Sequence, residues 1–258
     1  GNGDEGAGVV NGLLPTGVDG SWLKGSDLDR HGNAWWVGVA SELTYFDPFR
    51  FALDAAYGSA DMGSIGGFDV ERSGWFASIL GEYKMDYFTP GILFWYASGD
   101  DSNAYNGSER MPTVEGSWDI SSYGFDGNFG RDACDMIGLS NDGKMGVYLQ
   151  AKDISFMEDL THVFRVGFVK GTNNTEMARN GGAYVTSAND AGRQLYMTTA
   201  DKAWEVNFDT QYKIYKDLTL AVEIGYINLD LEKGVWGKTV DNNKENIARG
   251  AVTLQYVF

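Results

Sequence analysis

The final eleven residues of the chain, 248–258, alternate between apolar and polar side chains. The apolar positions are Val252, Leu254, Tyr256 and Phe258, and the positions between them are Arg249, Ala251, Thr253 and Gln255. A period of two residues is the repeat of an extended strand, which presents one apolar face and one polar face. The pattern fits two classes of all-β protein: a soluble sandwich with half-buried strands, or a membrane barrel whose tilted strands of about 9–11 residues cross the bilayer.

Eight earlier segments carry strand patterns, which brings the count of candidate strands to nine. The candidate strands are 34–46, 49–58, 75–85, 92–98, 145–156, 160–171, 204–213, 218–226 and 248–258. The segments 59–73, 99–143, 172–201 and 232–245 are predicted to be loops. Short turns and long loops therefore alternate along the chain. Membrane barrels sort their connections in this way, with short periplasmic turns and long external loops, whereas soluble sandwiches have no reason to do so.

The pattern predicts an antiparallel transmembrane β-barrel with about nine strands in this chain. Single-chain bacterial barrels have an even number of strands, so nine strands indicate a C-terminal portion of a larger barrel, of about 16 strands, that lacks N-terminal strands. Residues 1–33 are then an external loop, and residues 34–258 supply the strands of a single domain.

Charged side chains fall on the less apolar face of the candidate strands. Six acids and six bases are predicted to line a water-filled pore: Glu42, Arg50, Asp54, Glu82, Lys84, Lys152, Arg165, Glu205, Asp209, Lys213, Glu223 and Arg249. Such groups are costly to bury without partners, so this face is expected to contact water. The same alternation predicts that Leu220 and Val222 point to lipid while Thr219 and Glu223 point to the lumen.

Composition excludes several other classes of function. The net charge of −16 argues against nucleic acid as a partner, because phosphate binding needs clusters of Lys and Arg. The single Cys134 and the two histidines, His31 and His162, form no metal-site spacing, so we expect no metal, no cofactor and no catalytic centre. No apolar run reaches the eighteen or so residues of a membrane helix.

Several short runs are distinctive: NAWW at 33–36 through FDPFRFALD at 46–54, RSGW at 72–75, GEYK at 81–84, SGDD at 98–101, NGSERMP at 106–112 and GTNN at 171–174. These runs resemble the homotrimeric outer-membrane porins of sulfate-reducing, Desulfovibrio-type bacteria. The closing aromatics Tyr256 and Phe258 also resemble the C-terminal assembly signal of bacterial outer-membrane barrels. The resemblance implies a homotrimer in the lipid of a Gram-negative outer membrane, inserted by the barrel-assembly machinery and passing small hydrophilic solutes.

An excess of acids in the loop 99–144 predicts mild cation preference. Its acids include Asp100, Asp101, Glu109, Asp119 and Asp126, and only Arg110, Arg131 and Lys144 oppose them. The expected function is therefore a passive diffusion channel for ions and small solutes, with selectivity in an acidic external vestibule. Two alternatives stay open: a secreted β-sandwich that binds glycans through its aromatics, and an outer-membrane adhesin or enzyme built on a barrel.

Overall fold

The computed structural model describes residues 32–65, 68–103, 105–112, 143–176, 197–236 and 246–257. Nine strands lie in these ranges: β1 (Asn33–Leu43), β2 (Phe49–Ile65), β3 (Phe68–Tyr83), β4 (Thr89–Ala97), β5 (Lys144–Met157), β6 (Leu160–Gly171), β7 (Lys202–Tyr215), β8 (Leu218–Asp230) and β9 (Asn246–Tyr256). One helical turn, Lys233–Trp236, follows β8.

The nine strands form a single antiparallel sheet in sequence order, from β1 to β9. This confirms the predicted all-β, antiparallel architecture and its strand count. Within the described ranges β1 and β9 do not pair with each other, so the sheet is open at both edges. Closure into a barrel and the total number of its strands stay predictions.

Short turns lie at one end of the sheet. β5 and β6, for example, turn at Glu158 and Asp159, and Asp159 adopts a φ of 63°. Asp tolerates this left-handed conformation better than most residues because its short side chain can hydrogen-bond locally. We call this end of the sheet the turn end and the opposite end the loop end.

The prediction of a loop at residues 59–73 is wrong. β2 and β3 continue through this segment as a hairpin whose last pair is Ile65 with Phe68. Its Gly, Asp and Ser residues suggested a loop, but the backbone is paired and Ser73 donates a hydrogen bond to Ser59 across the strands at 2.9 Å. Three of the four connections at the loop end are therefore long, and they span residues 98–143, 172–201 and 231–245.

The extended hairpin receives the first part of the long loop after β4. β3 pairs with β4 only from Phe76 onward, so the edge formed by residues 68–75 has no partner on β4. Ser108 fills that edge: its N–H donates to the Glu71 carbonyl and its carbonyl accepts from the Ser73 N–H, both at 2.8 Å. Gly107 adopts a φ of +88°, and a Cβ there would lie 2.7 Å from the Glu71 carbonyl oxygen, so this close approach requires glycine.

Candidate functional site: the charged face of the sheet

Cross-strand pairing assigns the twelve predicted charged residues to one side of the sheet, which we call the charged face. Residues directly opposite each other in a ladder share a face. Arg50 is opposite Glu82, Asp209 is opposite Glu223, and Lys213 is opposite Thr219. The remaining strands follow the same alternation, and Lys84 lies one residue beyond the end of β3.

Large apolar side chains occupy the other side, the apolar face, and many of them are exposed. Val252 is 73% exposed, Leu254 63% and Ile224 52%, whereas Glu205 on the charged face is 2% exposed. Exposed large apolar side chains occur on all nine strands. The distribution is inverted relative to a soluble protein, in which apolar side chains are buried and charged ones face water.

An ionic cluster lies near the turn end of β1 to β5. The Arg50 guanidinium contacts the carboxylates of Glu42 and Glu82, each at 2.7 Å. Lys152 contacts the second Glu82 oxygen at 2.6 Å, and the Gln150 amide donates to the same oxygen at 2.9 Å. Glu82 is buried, and these three partners supply the donors that its burial requires.

A second polar cluster spans β5 to β7. Arg165 forms an ion pair with Asp209 at 2.8 Å. Glu205 accepts hydrogen bonds from the Tyr148 hydroxyl and, at 2.7 Å, from the Asn207 amide. Neither Tyr148 nor Asn207 was predicted from the sequence, because a neutral residue on a polar face carries no signal of its own. Asn207 reaches Glu205 from two residues along the same face of β7, whereas Tyr148 reaches it from β5 through the register between strands.

The charged face is not polar along its whole length. Toward the loop end an apolar cluster fills it, with Phe76, Trp95, Ala97, Tyr148, Val169, Met197, Ala203, Ile227, Leu229 and Leu231 buried. The Trp95 and Tyr148 rings stack at 5.6 Å, and each lies over a glycine of the next strand, Gly146 and Gly167, where a Cβ would overlap the ring. Parts of the charged face are therefore packed against protein: the ion clusters contain buried carboxylates, and the apolar cluster lies toward the loop end.

The structure separates the predicted vestibule acids. Asp101 is exposed, whereas Asp100 is buried and accepts a hydrogen bond from the Glu109 backbone N–H at 3.2 Å. Burial raises the pKa of the Glu109 carboxyl to about 7, and the adjacent negative charges of Asp100 and Asp101 act in the same direction. Asp119 and Asp126 lie outside the described residues. Asp100 therefore does not lie at the surface of an acidic vestibule, because Glu109 and Asn173 hydrogen-bond to it in a buried position.

Two further predicted positions, His162 and Tyr256, lie at the turn end of the sheet. Tyr256 ends β9 at the turn end and is exposed, and Phe258 lies outside the described residues. The His162 ring accepts or donates one hydrogen bond with the Thr210 hydroxyl at 2.8 Å and stacks on Phe208. His31 lies outside the described part of the chain.

In the described ranges, no group of three or more His, Cys, Asp or Glu side chains could hold a metal ion. None of the helices in the same ranges combines the length and apolarity needed to cross a membrane.

Comparison with known proteins yields a structural likeness. No protein-family model and no curated protein matches the chain. A solved structure described as outer-membrane expressed OmpT of Vibrio cholerae is similar, with a TM-score of 0.40 and 11% sequence identity. The match covers 87% of this chain and 56% of that chain, so this chain spans little more than half of its length.

Proposed function

We propose that this chain forms a water-filled channel in the outer membrane of a Gram-negative bacterium, for passive diffusion of ions and small hydrophilic solutes. One observation carries the proposal: charged side chains share one face of a continuous antiparallel sheet, while the large apolar side chains on the other face are exposed. Membrane barrels have this distribution because their outer face contacts hydrocarbon and their inner face contacts water.

The lengths of the strands support a transmembrane role. β7 has 14 residues and β8 has 13. At about 3.3 Å per residue β8 is roughly 43 Å long. A tilt of about 40° reduces its reach along the membrane normal to roughly 33 Å, which matches a hydrocarbon core of about 30 Å.

A soluble sandwich explains the apolar face less well. Soluble proteins rarely expose a contiguous apolar patch larger than a few hundred Å². In a sandwich, a second sheet would cover the apolar face, but all nine described strands belong to one sheet. A secreted glycan-binding sandwich therefore remains the less favoured alternative, and nothing in the described site favours an adhesin or an enzyme.

The charge distribution supports mild cation preference. The predicted wall carries six acids and six bases, so it gives the pore little net field, whereas the external loop has an excess of acids. Of its described acids, the exposed Asp101 contributes most directly, since Asp100 is buried. We further propose, from the family resemblance, a homotrimer that contacts outer-membrane lipid and is inserted by the barrel-assembly machinery through a signal that includes Tyr256 and Phe258.

Reconstitution into a planar lipid bilayer tests the proposal. We expect stepwise conductance and, in a KCl gradient, a zero-current potential of the sign for mild cation preference. The potential should decrease at high salt, because charges in water are screened beyond about 10 Å at 0.1 M and about 3 Å at 1 M. Asp101→Asn should weaken the preference more than the buried Asp100→Asn. A folded protein that stays monodisperse without detergent and gives no conductance would contradict the proposal.

A further inference from the structure

Glu223 is a buried carboxylate without a described partner. Its side chain is 3% exposed, on the charged face of β8, and its Oε2 atom receives no hydrogen bond. It forms no ion pair with any residue in the described ranges, Arg165 and Arg249 included. A buried charge in this state is costly, so a positive partner would stabilise it.

A second acceptor without a donor lies on the neighbouring strand. Asn207 is fully buried, and its amide nitrogen donates to Glu205 at 2.7 Å. That bond fixes the orientation of the Asn207 amide, with the nitrogen toward Glu205. The amide oxygen, Oδ1, has no hydrogen-bond partner. Glu223 Oε2 and Asn207 Oδ1 are thus both buried oxygens on the same face that lack donors.

Register brings these groups together. Asp209 is directly opposite Glu223, and Asn207 is the next residue along the same face of β7. Cβ atoms of directly opposite residues are about 4.5–5.5 Å apart, and diagonal neighbours remain within reach of long side chains. Arg165 forms an ion pair with Asp209 at 2.8 Å. Three acids on this part of the face, Glu205, Asp209 and Glu223, share it with two bases, Arg165 and Arg249, which leaves one net negative charge.

We propose that Glu223, Asn207 and Asp209 form a binding site for a small monovalent cation on the charged face. The inference rests on the proposed channel, in which this face is the pore wall. Oxygen atoms are the ligands that such ions prefer, and carboxylate, amide and water oxygens can replace part of the hydration shell. A single unmatched negative charge suits an ion of charge +1, and only two carboxylates participate, which disfavours a divalent ion.

Binding is tested in detergent, without any measurement of current. The melting temperature of the full chain is followed as KCl replaces N-methyl-D-glucamine chloride at constant ionic strength. Because a ligand that binds only the folded state raises its stability, we expect a saturable increase with K⁺. Glu223→Gln should raise the K⁺ concentration for half of the effect by about tenfold or more, since it removes the charge. Asp54→Asn, which removes a charge from the same face at an exposed site, should leave that concentration unchanged.

A second variant guards against misfolding. Should Glu223→Gln fail to fold by circular dichroism, Asn207→Ala, which removes one oxygen, should weaken K⁺ binding by about threefold or more. Absence of any K⁺ effect in the wild type, or equal K⁺ dependence in the wild type and the variants, would overturn the proposal. A proton shared between Glu223 and Asn207 would also remove any effect of K⁺ on the melting temperature, and that result likewise overturns the cation site. Saturable K⁺ binding without conductance would contradict the channel and leave the cation site.

Discussion

Replacing Val252 by Lys should destabilise the protein far more than the same change at Thr253, its neighbour. Val252 lies on the apolar face near the middle of β9 and is 73% exposed. It is six residues from the start of the strand and four from its end, about 20 Å and about 13 Å at 3.3 Å per residue, so in the proposed barrel it would lie near the middle of the bilayer.

A Lys near the bilayer midplane on the lipid face of a barrel costs about 2–4 kcal/mol. This corresponds to about a 30- to 700-fold decrease in the folding equilibrium constant. Thr253 lies on the charged face, opposite Ala221, where the new ammonium group would reach water. The same substitution there should cost well under about 1 kcal/mol.

The assay is a urea titration of folding into phosphatidylcholine vesicles, followed by tryptophan fluorescence. The matched variants Val252→Lys and Thr253→Lys share strand, depth and added charge, so their difference isolates the face. In a soluble protein Val252 would already be in water, and its change to Lys would fall within about 0.5 kcal/mol of neutral. Equal and mild effects of the two variants would refute the assignment of the apolar face to lipid.

Three further predictions follow from individual sites. The raised pKa of Glu109, about 7 against an ordinary 4.5, means that the folded state holds this proton more tightly. The stability it contributes is full below pH 4.5 and is lost as pH rises to about 7, so Glu109→Gln should flatten that slope in melting curves from pH 4 to 8. Glu82→Gln should cost about 1–3 kcal/mol in the same urea titration, because it leaves buried polar partners unmatched. Glu42→Gln, at an exposed ion pair, should cost about 0–1 kcal/mol. Equal losses of stability in Glu82→Gln and Glu42→Gln would show that the burial of Glu82 does not determine its contribution. Gly167→Ala should cost about 1–3 kcal/mol because its Cβ overlaps an aromatic ring, whereas at Gly81 the nearest atom would be 3.6 Å away and Ala should be tolerated; the reverse order would contradict the packing.

The number and direction of the strands, and the face of each charged residue, could be predicted from the sequence. Period-two alternation is a local property, and it assigns Glu223 and Leu220 to opposite faces without knowledge of any neighbour. The same reasoning failed at residues 59–73, because polar and small residues form a strand when a partner supplies backbone hydrogen bonds. Ser108, 35 residues after Ser73, supplies them to β3.

Burial on the charged face could not be predicted in this way. The three partners of Glu82 come from β2 and β5, and they meet only through the register of four consecutive strands. The apolar cluster likewise combines Trp95 of β4 with Ile227 of β8 and with Met197, which precedes β7. Such long-range contacts leave no periodic signal in the sequence.

The central claim is that the apolar face contacts hydrocarbon while the charged face contacts water. Nitroxide labels at single cysteines from 250 to 255, in a Cys134→Ser background in lipid vesicles, test it directly by electron paramagnetic resonance. Oxygen, which concentrates in lipid, should collide most with labels at positions 250, 252 and 254, and a water-soluble nickel complex should collide most at 251, 253 and 255. Higher nickel accessibility at 250, 252 and 254, or no period of two, would contradict the account.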